Sequence, residues 1–391
     1  MKKKAILMVL LLLAFCQAAL ASDAAKLTLP SGMNNPMTIR YPELANAPAP
    51  ALVEEGLRAT YEEFAGSGRE ETTERGTHTS GESPGVGLVQ VDVVALEGGK
   101  AATWTSTYAP DPTNGAMKTI NTYGSVNPVG CGDFWCNPAV LRSIPDNAGK
   151  DLAVSRGTYD LNGQQYDVIR FYYTSSQGIV LGMIYDLDTG IMLHHTADFA
   201  SSFAPENGVT VTRKQNAILT LRNLRQVNIP WTEGSVPSWA VAGRVLSYQG
   251  QHAFWLPQLP DVAPTLSALG SQLAIQDVHD RFAEGRQQTY TQDAIQPAYV
   301  PMVSGVAQLM GFWVPNEALS LGPGLVDSDP DTGMKVSVIQ SGPEGVIMEK
   351  TNDVNYKLLA LYDASGKLVQ TSLETYSGTA AAQRDDLQLT G

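Results

Sequence analysis

Positive charge, cysteine and histidine are scarce in this sequence: 26 Lys and Arg stand against 39 Asp and Glu, with three Cys and five His in 391 residues. The net charge of −13 excludes a nucleic-acid binder, which needs a basic face to displace counterions. It also excludes polybasic attachment to anionic lipid headgroups. No Gly-x-Ser-x-Gly elbow, Walker loop, Gly-x-Gly-x-x-Gly strand-to-helix turn or His-Glu-x-x-His motif occurs, which disfavours the hydrolase, nucleotide-binding and zincin chemistries that use them. A Ser/His/Asp triad needs no local motif, so a hydrolase with dispersed catalytic residues stays open as a third reading. What is present is enough apolar side chain, 43%, to build packed cores. The length suggests about two domains at ~150 residues each.

The first residues read as a secretory signal peptide, 1–21. Lys2, Lys3 and Lys4 form a positive n-region, Ala5 to Phe15 an apolar run, and Ala19-Leu20-Ala21 a small-x-small cleavage site before Ser22. Removing it takes three lysines and no acid, moving the net charge from −13 to −16. The run is short for a membrane span, and no later segment is long and apolar enough to make one. Phe15 precedes Cys16, which is the wrong size for lipoprotein cleavage. The expectation is a periplasmic or secreted protein with no transmembrane segment after cleavage and no nucleic-acid partner. Of its cysteines, Cys131 and Cys136 remain, and in an oxidising compartment an isolated pair reads as a disulfide. The loop Gly130-Cys131-Gly132-Asp133-Phe134-Trp135-Cys136 has two glycines to ease closure.

Three anchors recur in order along the chain. Glu97-Gly98-Gly99-Lys100 leading to Thr103 is matched by Glu284-Gly285-Arg286-Gln287 leading to Thr289. Phe134-Trp135 is matched by Phe312-Trp313. Ile184-Tyr185-Asp186 leading to Gly190 is matched by Leu361-Tyr362-Asp363 leading to Gly366. The offset shrinks from 186 to 176 residues, as loop insertions would produce, so the chain reads as a duplication. Pro230, Gly234 and Pro237 punctuate the boundary, giving domains 22–232 and 233–391. Each half is rich in strand signals: Val89, Val91 and Val93 alternate with Gln90 and Asp92, putting apolar residues on one face and polar ones on the other. Helices are expected at Ala51 to Phe64, with Val53, Leu57, Tyr61 and Phe64 on one stripe, and more weakly at Ala263 to Leu273. The fold class is α+β, mostly antiparallel β: two tandem repeats of a curved meander sheet, each with a packed helix.

The signal peptide, the helix ending in Tyr61 and Phe64, and the late hairpin Ile184-Tyr185-Asp186-Leu187-Asp188-Thr189-Gly190-Ile191-Met192-Leu193 together resemble the periplasmic lipoprotein-carrier family (LolA and LolB types). The resemblance implies a half-barrel closed by helices around an apolar cavity for acyl chains. It carries no catalytic or binding motif across. The present chain is about twice as long, and the Cys131/Cys136 pair is its own.

Candidate site residues are few. Phe134, Trp135, Phe312 and Trp313 either line the mouth of an apolar cavity or plug the core of each half. Asp327, Asp329 and Asp331 alternate in a loop as calcium ligands do. However, the glycine comes one position late for an EF-hand and Val338 stands where its Glu belongs, so a solvated acidic turn is the plainer reading. No other cofactor is expected. His194 and His195 sit on opposite faces of a strand and cannot chelate one metal together. The leading reading is a non-enzymatic exported binding protein whose partner is a lipid-like molecule. A cell-envelope interaction or scaffold protein is the alternative.

Overall fold

A computed structural model describes residues 36–391 apart from 74–75, 81–84, 176–178, 204–209, 257–261, 292–297 and 378–379. The expected signal peptide, 1–21, lies outside the described residues. Strands outweigh helix by 64% to 6%, so sheet hydrogen bonding carries the fold. The first sheet contains β1 (Leu57–Thr73), β2 (Gly76–Ser80), β3 (Gly85–Glu97), β4 (Lys100–Pro110), β5 (Met117–Pro128), β6 (Asn147–Ala148), β7 (Leu152–Leu161), β8 (Gln164–Thr174), β9 (Val180–Asp186), β10 (Met192–Phe203) and β11 (Thr210–Gln226). The second contains β12 (Val245–Phe254), β13 (Thr265–Val278), β14 (Phe282–Thr291), β15 (Ala298–Gly305), β16 (Gly324–Ser328), β17 (Lys335–Gly342), β18 (Gly345–Thr351), β19 (Tyr356–Asp363), β20 (Leu368–Ser377) and β21 (Ala380–Leu389).

The first sheet runs β5-β4-β3-β1-β11-β10-β9-β8-β7-β6, with β2 paired to β1. The second runs β15-β14-β13-β12-β21-β20-β19-β18-β17-β16. Setting β2 aside, the two orders are the same, so the topology is duplicated. The Phe-Trp and Asp-to-Gly anchors fall at equivalent places in it, whereas Glu97-Gly98-Gly99-Lys100 forms the β3–β4 turn and Glu284-Gly285 lies inside β14, so that first pair is not equivalent.

The Phe-Trp anchors show why those residues recur. In the first repeat Met192 N donates to Phe134 O (2.8 Å) and Cys136 N to Gly190 O (2.9 Å). In the second Leu368 N donates to Phe312 O (3.1 Å) and Val314 N to Gly366 O (2.9 Å). Each Phe-Trp segment thus lies as an isolated bridge along the hairpin that follows Asp186 or Asp363. Gly190 and Gly366 have φ of +77° and +73°, and a Cβ there would come within 2.0 Å of Cys136 O and 2.1 Å of Val314 O. Both the turn and the close approach require glycine. A short helix follows each bridge: α3 (Pro138–Ser143), capped by the Asn137 side chain, and a 3₁₀ turn at Asn316–Ser320. Two further helices, α1 (Pro36–Arg40) and α2 (Pro42–Asn46), precede β1.

Neither expected long helix forms. Residues 51–56 make turns and β1 begins at Leu57. Gly56 has φ +85° and a Cβ there would sit 2.4 Å from Gln226 Nε2, which interrupts any helix through it. Leu57, Arg58, Ala59, Thr60 and Tyr61 are all buried while Phe64 is 43% exposed. Burial on both faces is a strand property, and the apparent stripe was a spacing coincidence. Likewise 263–273 runs into β13, where Leu269, Ser271, Leu273 and Ile275 are buried with period two.

The same Asp-to-Gly turn closes several hairpins. The Asp186 carboxylate accepts from the N–H groups of Asp188 (3.2 Å) and Thr189 (3.0 Å). Asp329 accepts from Asp331 N (3.1 Å) and Thr332 N (2.9 Å), and Asp111 from Thr113 N (2.8 Å). Gly190, Gly333 and Gly115 each donate back to the carbonyl of the opening Asp at 2.8–2.9 Å.

The chain packs as two compact units. One takes its described residues from 36–52, 60–89 and 130–223; the other is 53–59, 90–129 and 224–391. The first centres on Tyr61, whose hydroxyl donates to Met192 O (2.8 Å), and on Phe171, edge-on to Tyr185 at 6.1 Å. The second holds Trp231, Phe312, Trp313 and Tyr362 in one apolar cluster. We expect Gly190→Ala and Gly366→Ala each to lower stability by about 3 kcal/mol in urea titrations, from φ strain plus the backbone clash. Gly98→Ala, also at positive φ but facing open space, should cost only about 1 kcal/mol.

Candidate functional site

Polar chemistry concentrates in the second unit, on residues that three chain segments contribute. Arg58 on β1 grips Asp92 on β3 with two nearly parallel bonds, Nε to Oδ1 at 2.6 Å and Nη2 to Oδ2 at 2.7 Å. Its remaining nitrogen, Nη1, donates to Asp329 Oδ2 at 2.8 Å. Arg225 on β11 grips Asp327 in the same two-point manner (3.0 and 2.7 Å) and also reaches Asp329 Oδ2 at 2.8 Å. Gln90 donates to Asp329 Oδ1 at 3.0 Å, and Asn228 N to Asp327 Oδ1 at 3.1 Å. Asp329 is 2% exposed. Burial alone would raise its carboxyl; the Arg58 charge, the Thr332 N–H and the bonds from both guanidinium groups outweigh it and hold the group well below the usual carboxylate range. Asp327 is lowered likewise against its burial, chiefly by its bond to Arg225.

A pocket of about 30 Å³ opens beside this cluster, lined by Arg58, Asp92, Trp104, Ser106, Tyr108 and Lys350 among others. That is space for one or two waters. The Lys350 ammonium lies 3.3 Å from the Tyr108 hydroxyl. Proton-transfer catalysis needs a group whose pKa lies near the working pH. Here the Arg58 and Arg225 guanidinium groups stay charged and Asp327 and Asp329 are held below the usual carboxylate range, so these ion pairs tie β1 and β11 to the hairpin that carries the two aspartates.

The acidic loop Asp327, Asp329 and Asp331 is therefore where the structure puts arginine. Asp327 and Asp329 meet two guanidinium groups, while Asp329 also caps its own turn. Sequence reasoning missed Arg58, Asp92 and Arg225. Gln90 and Asp92 were visible as the polar face of β3, yet that face is buried too, Gln90 at 1% exposure. No local pattern marks that Asp92 meets Arg58 or that Gln90 meets Asp329, 239 residues away.

Phe134 and Trp135 are 0% exposed and pack edge-to-face at 4.8 Å; Phe312 and Trp313 are 3% and 1% exposed. Each pair is buried within its own unit. Cys131 and Cys136 face each other across a short antiparallel bridge, flanked by Gly132 N to Trp135 O (3.0 Å) and Asn137 N to Gly130 O (2.7 Å). This makes them a non-hydrogen-bonded pair, the register in which side chains come closest. Both are buried thiols with Sγ atoms 2.8 Å apart, beyond the ~2.05 Å of a disulfide bond.

His194 and His195 point to opposite faces of β10, as expected. His194 Nδ1 lies 3.1 Å from Thr220 Oγ1, whereas neither ring nitrogen of His195 has a hydrogen-bond partner. Burial, aided by the neighbouring His194, pushes His195 down to about 3. Burial pushes the Glu63 carboxyl on β1 up to about 7. These shifts act oppositely on stability. Below pH 6.5 the unfolded chain protonates His195 and the folded one does not, so this group favours folding more as pH rises from 3 to 6.5. Between about pH 4.3 and 7 the folded chain holds a proton on Glu63 that the unfolded one releases, so that contribution falls as pH rises.

In urea unfolding between pH 4.5 and 6.5, we expect the two slopes to offset each other in the unmodified chain. His195→Leu should expose a stability that falls with pH and Glu63→Gln one that rises, each with a slope approaching one proton. Arg58→Met should cost about 3–5 kcal/mol by stranding Asp92.

No protein-family model matches the chain, and no curated protein matches it.

Proposed function

We propose that this chain is an exported, non-enzymatic interaction protein of the cell envelope, a scaffold whose two sheet repeats are filled by their own side chains. The observation that carries the reading is the pairing of Arg58 and Asp329 in the polar centre of the second unit. Every nitrogen of the Arg58 guanidinium donates to a carboxylate, and Asp329 accepts from two arginines, Gln90 and its own turn. Such a cluster fixes geometry rather than turning over a substrate. The burial of Phe134, Trp135, Phe312 and Trp313 supports the same reading, because aromatic pairs packed in a core are not the mouth of a ligand cavity. Export rests on residues 2–21.

Export also supplies the condition for a Cys131–Cys136 disulfide. During folding, a thiolate attacks an external disulfide oxidant and releases one of its thiols, and the second thiolate then attacks that mixed disulfide and displaces the oxidant's other thiol. The two cysteines lose two protons and two electrons, and the oxidant leaves as two thiols. The cross-strand pairing of the two thiols, 2.8 Å apart, supports this step, and burial would shield the bond from reductant.

Native and denaturing mass spectra of the protein purified from its own envelope test both points. The expected result is a polypeptide starting at Ser22, lighter by two hydrogens, with no small-molecule adduct. In-cell crosslinking should add an envelope protein in fixed stoichiometry. A lipid-sized mass that is present natively and lost on denaturation would overturn the scaffold reading in favour of the lipid carrier. A full-hydrogen mass would remove the disulfide.

A further inference from the structure

Asp277, His279 and Glu284 lie at the β13–β14 hairpin, in the second unit, and their metal-binding atoms all fall within 4.8 Å of one another. His279 Nε2 is 3.3 Å from Asp277 Oδ2 and 3.3 Å from Glu284 Oε1. Zinc bonded at ~2.0–2.1 Å in a tetrahedron keeps its donors about 3.3–3.4 Å apart. The imidazole thus already stands at donor spacing from both carboxylates.

The surroundings hold each donor in place. A β-bulge between Ile275 and Asp277 shifts the register so that Asp277 pairs directly with Glu284, and bulges re-aim side chains in this way. The Val278 N–H donates to Asp277 Oδ1 at 3.0 Å, leaving Oδ2 turned to the imidazole. The His279 ring stacks on Phe282 at 4.2 Å. The hairpin tip is pinned by Glu97, which accepts from the N–H groups of Asp280 (3.1 Å) and Arg281 (2.9 Å). Fixed outer contacts of this kind orient metal ligands.

A cation already sits there. Two carboxylates opposite each other on paired strands repel, and the Lys100 ammonium answers them, 3.8 Å from Asp277, 3.7 Å from Glu284 and 3.4 Å from His279 Nε2. Lys100 is 44% exposed on a flexible stem, so it can swing out to water. From donor spacing, fixed ligands and a displaceable cation at the centre, we infer that Asp277, His279 and Glu284 form a site for a divalent first-row transition metal, zinc foremost. Water would complete the coordination and Lys100 is its built-in competitor. One imidazole nitrogen among oxygens suits zinc, nickel or copper better than calcium or magnesium.

The test is Zn²⁺ titration by calorimetry on the chelator-stripped full chain, with Co²⁺ absorption as a readout of coordination. One site is expected. His279→Ala and Glu284→Gln should each weaken it at least tenfold and abolish the tetrahedral Co²⁺ band. Lys100→Met, which removes the competitor at a position 44% exposed, should tighten it at least tenfold. Zinc binding that His279→Ala and Lys100→Met both leave unchanged would mean adventitious surface binding and overturn the site. So would no binding in either the unmodified chain or Lys100→Met.

Discussion

A carboxylate folded back onto its own loop is the interaction on which this structure depends. Asp186 and Asp329 each accept two N–H groups of the turn they open and Asp111 accepts one, and a glycine at positive φ closes each turn. A backbone N–H left unpaired in a buried turn costs about 1–3 kcal/mol, and at the Asp329 turn one carboxylate satisfies two such groups, from Asp331 and Thr332. The turn fixes hairpin register, and in an antiparallel sheet a slip of one residue would move every side chain to the wrong face. At Asp186 the closing glycine also leaves room for the Phe134-Trp135 bridge. Asp363 and Gly366 leave the same room for Phe312-Trp313.

Asp329 gives the same device a second task. Its Oδ1 caps the turn and its Oδ2 accepts from Arg58 and Arg225. Ion pairs buried this way contribute little net stability over an apolar replacement, but losing one partner is costly. The cluster therefore acts through specificity: strand ends that supply two arginines must meet a hairpin that supplies two aspartates. With every guanidinium nitrogen of Arg58 committed, these charges are consumed by architecture. The Asp277, His279 and Glu284 group differs, because its charge is met by a lysine that can leave.

The repeats diverge at equivalent places. Cys136 in the first becomes Val314 in the second, while both N–H groups still donate to a hairpin glycine. The backbone bond is the shared requirement, and the side chain is free to vary. The asymmetry confines any covalent staple to the first repeat.

Local rules were enough to read much of this from the sequence. The mostly antiparallel fold class followed from period-two alternation and glycine-bearing turns, and the duplication from Phe-Trp and Asp-to-Gly anchors, because both are written in neighbouring residues. Helix at Ala51 to Phe64 was misread because an i, i+4 stripe cannot reveal that the opposite face will also be buried. The Arg58, Asp92, Arg225, Asp327 and Asp329 cluster, and the meeting of Lys100 with His279, were not legible. Their members are separated by up to 271 residues, and a charged residue on a strand looks the same in sequence whether it faces water or a partner. Local chain chemistry set the elements and their repetition; only tertiary packing decided which charges met, since that depends on through-space distance.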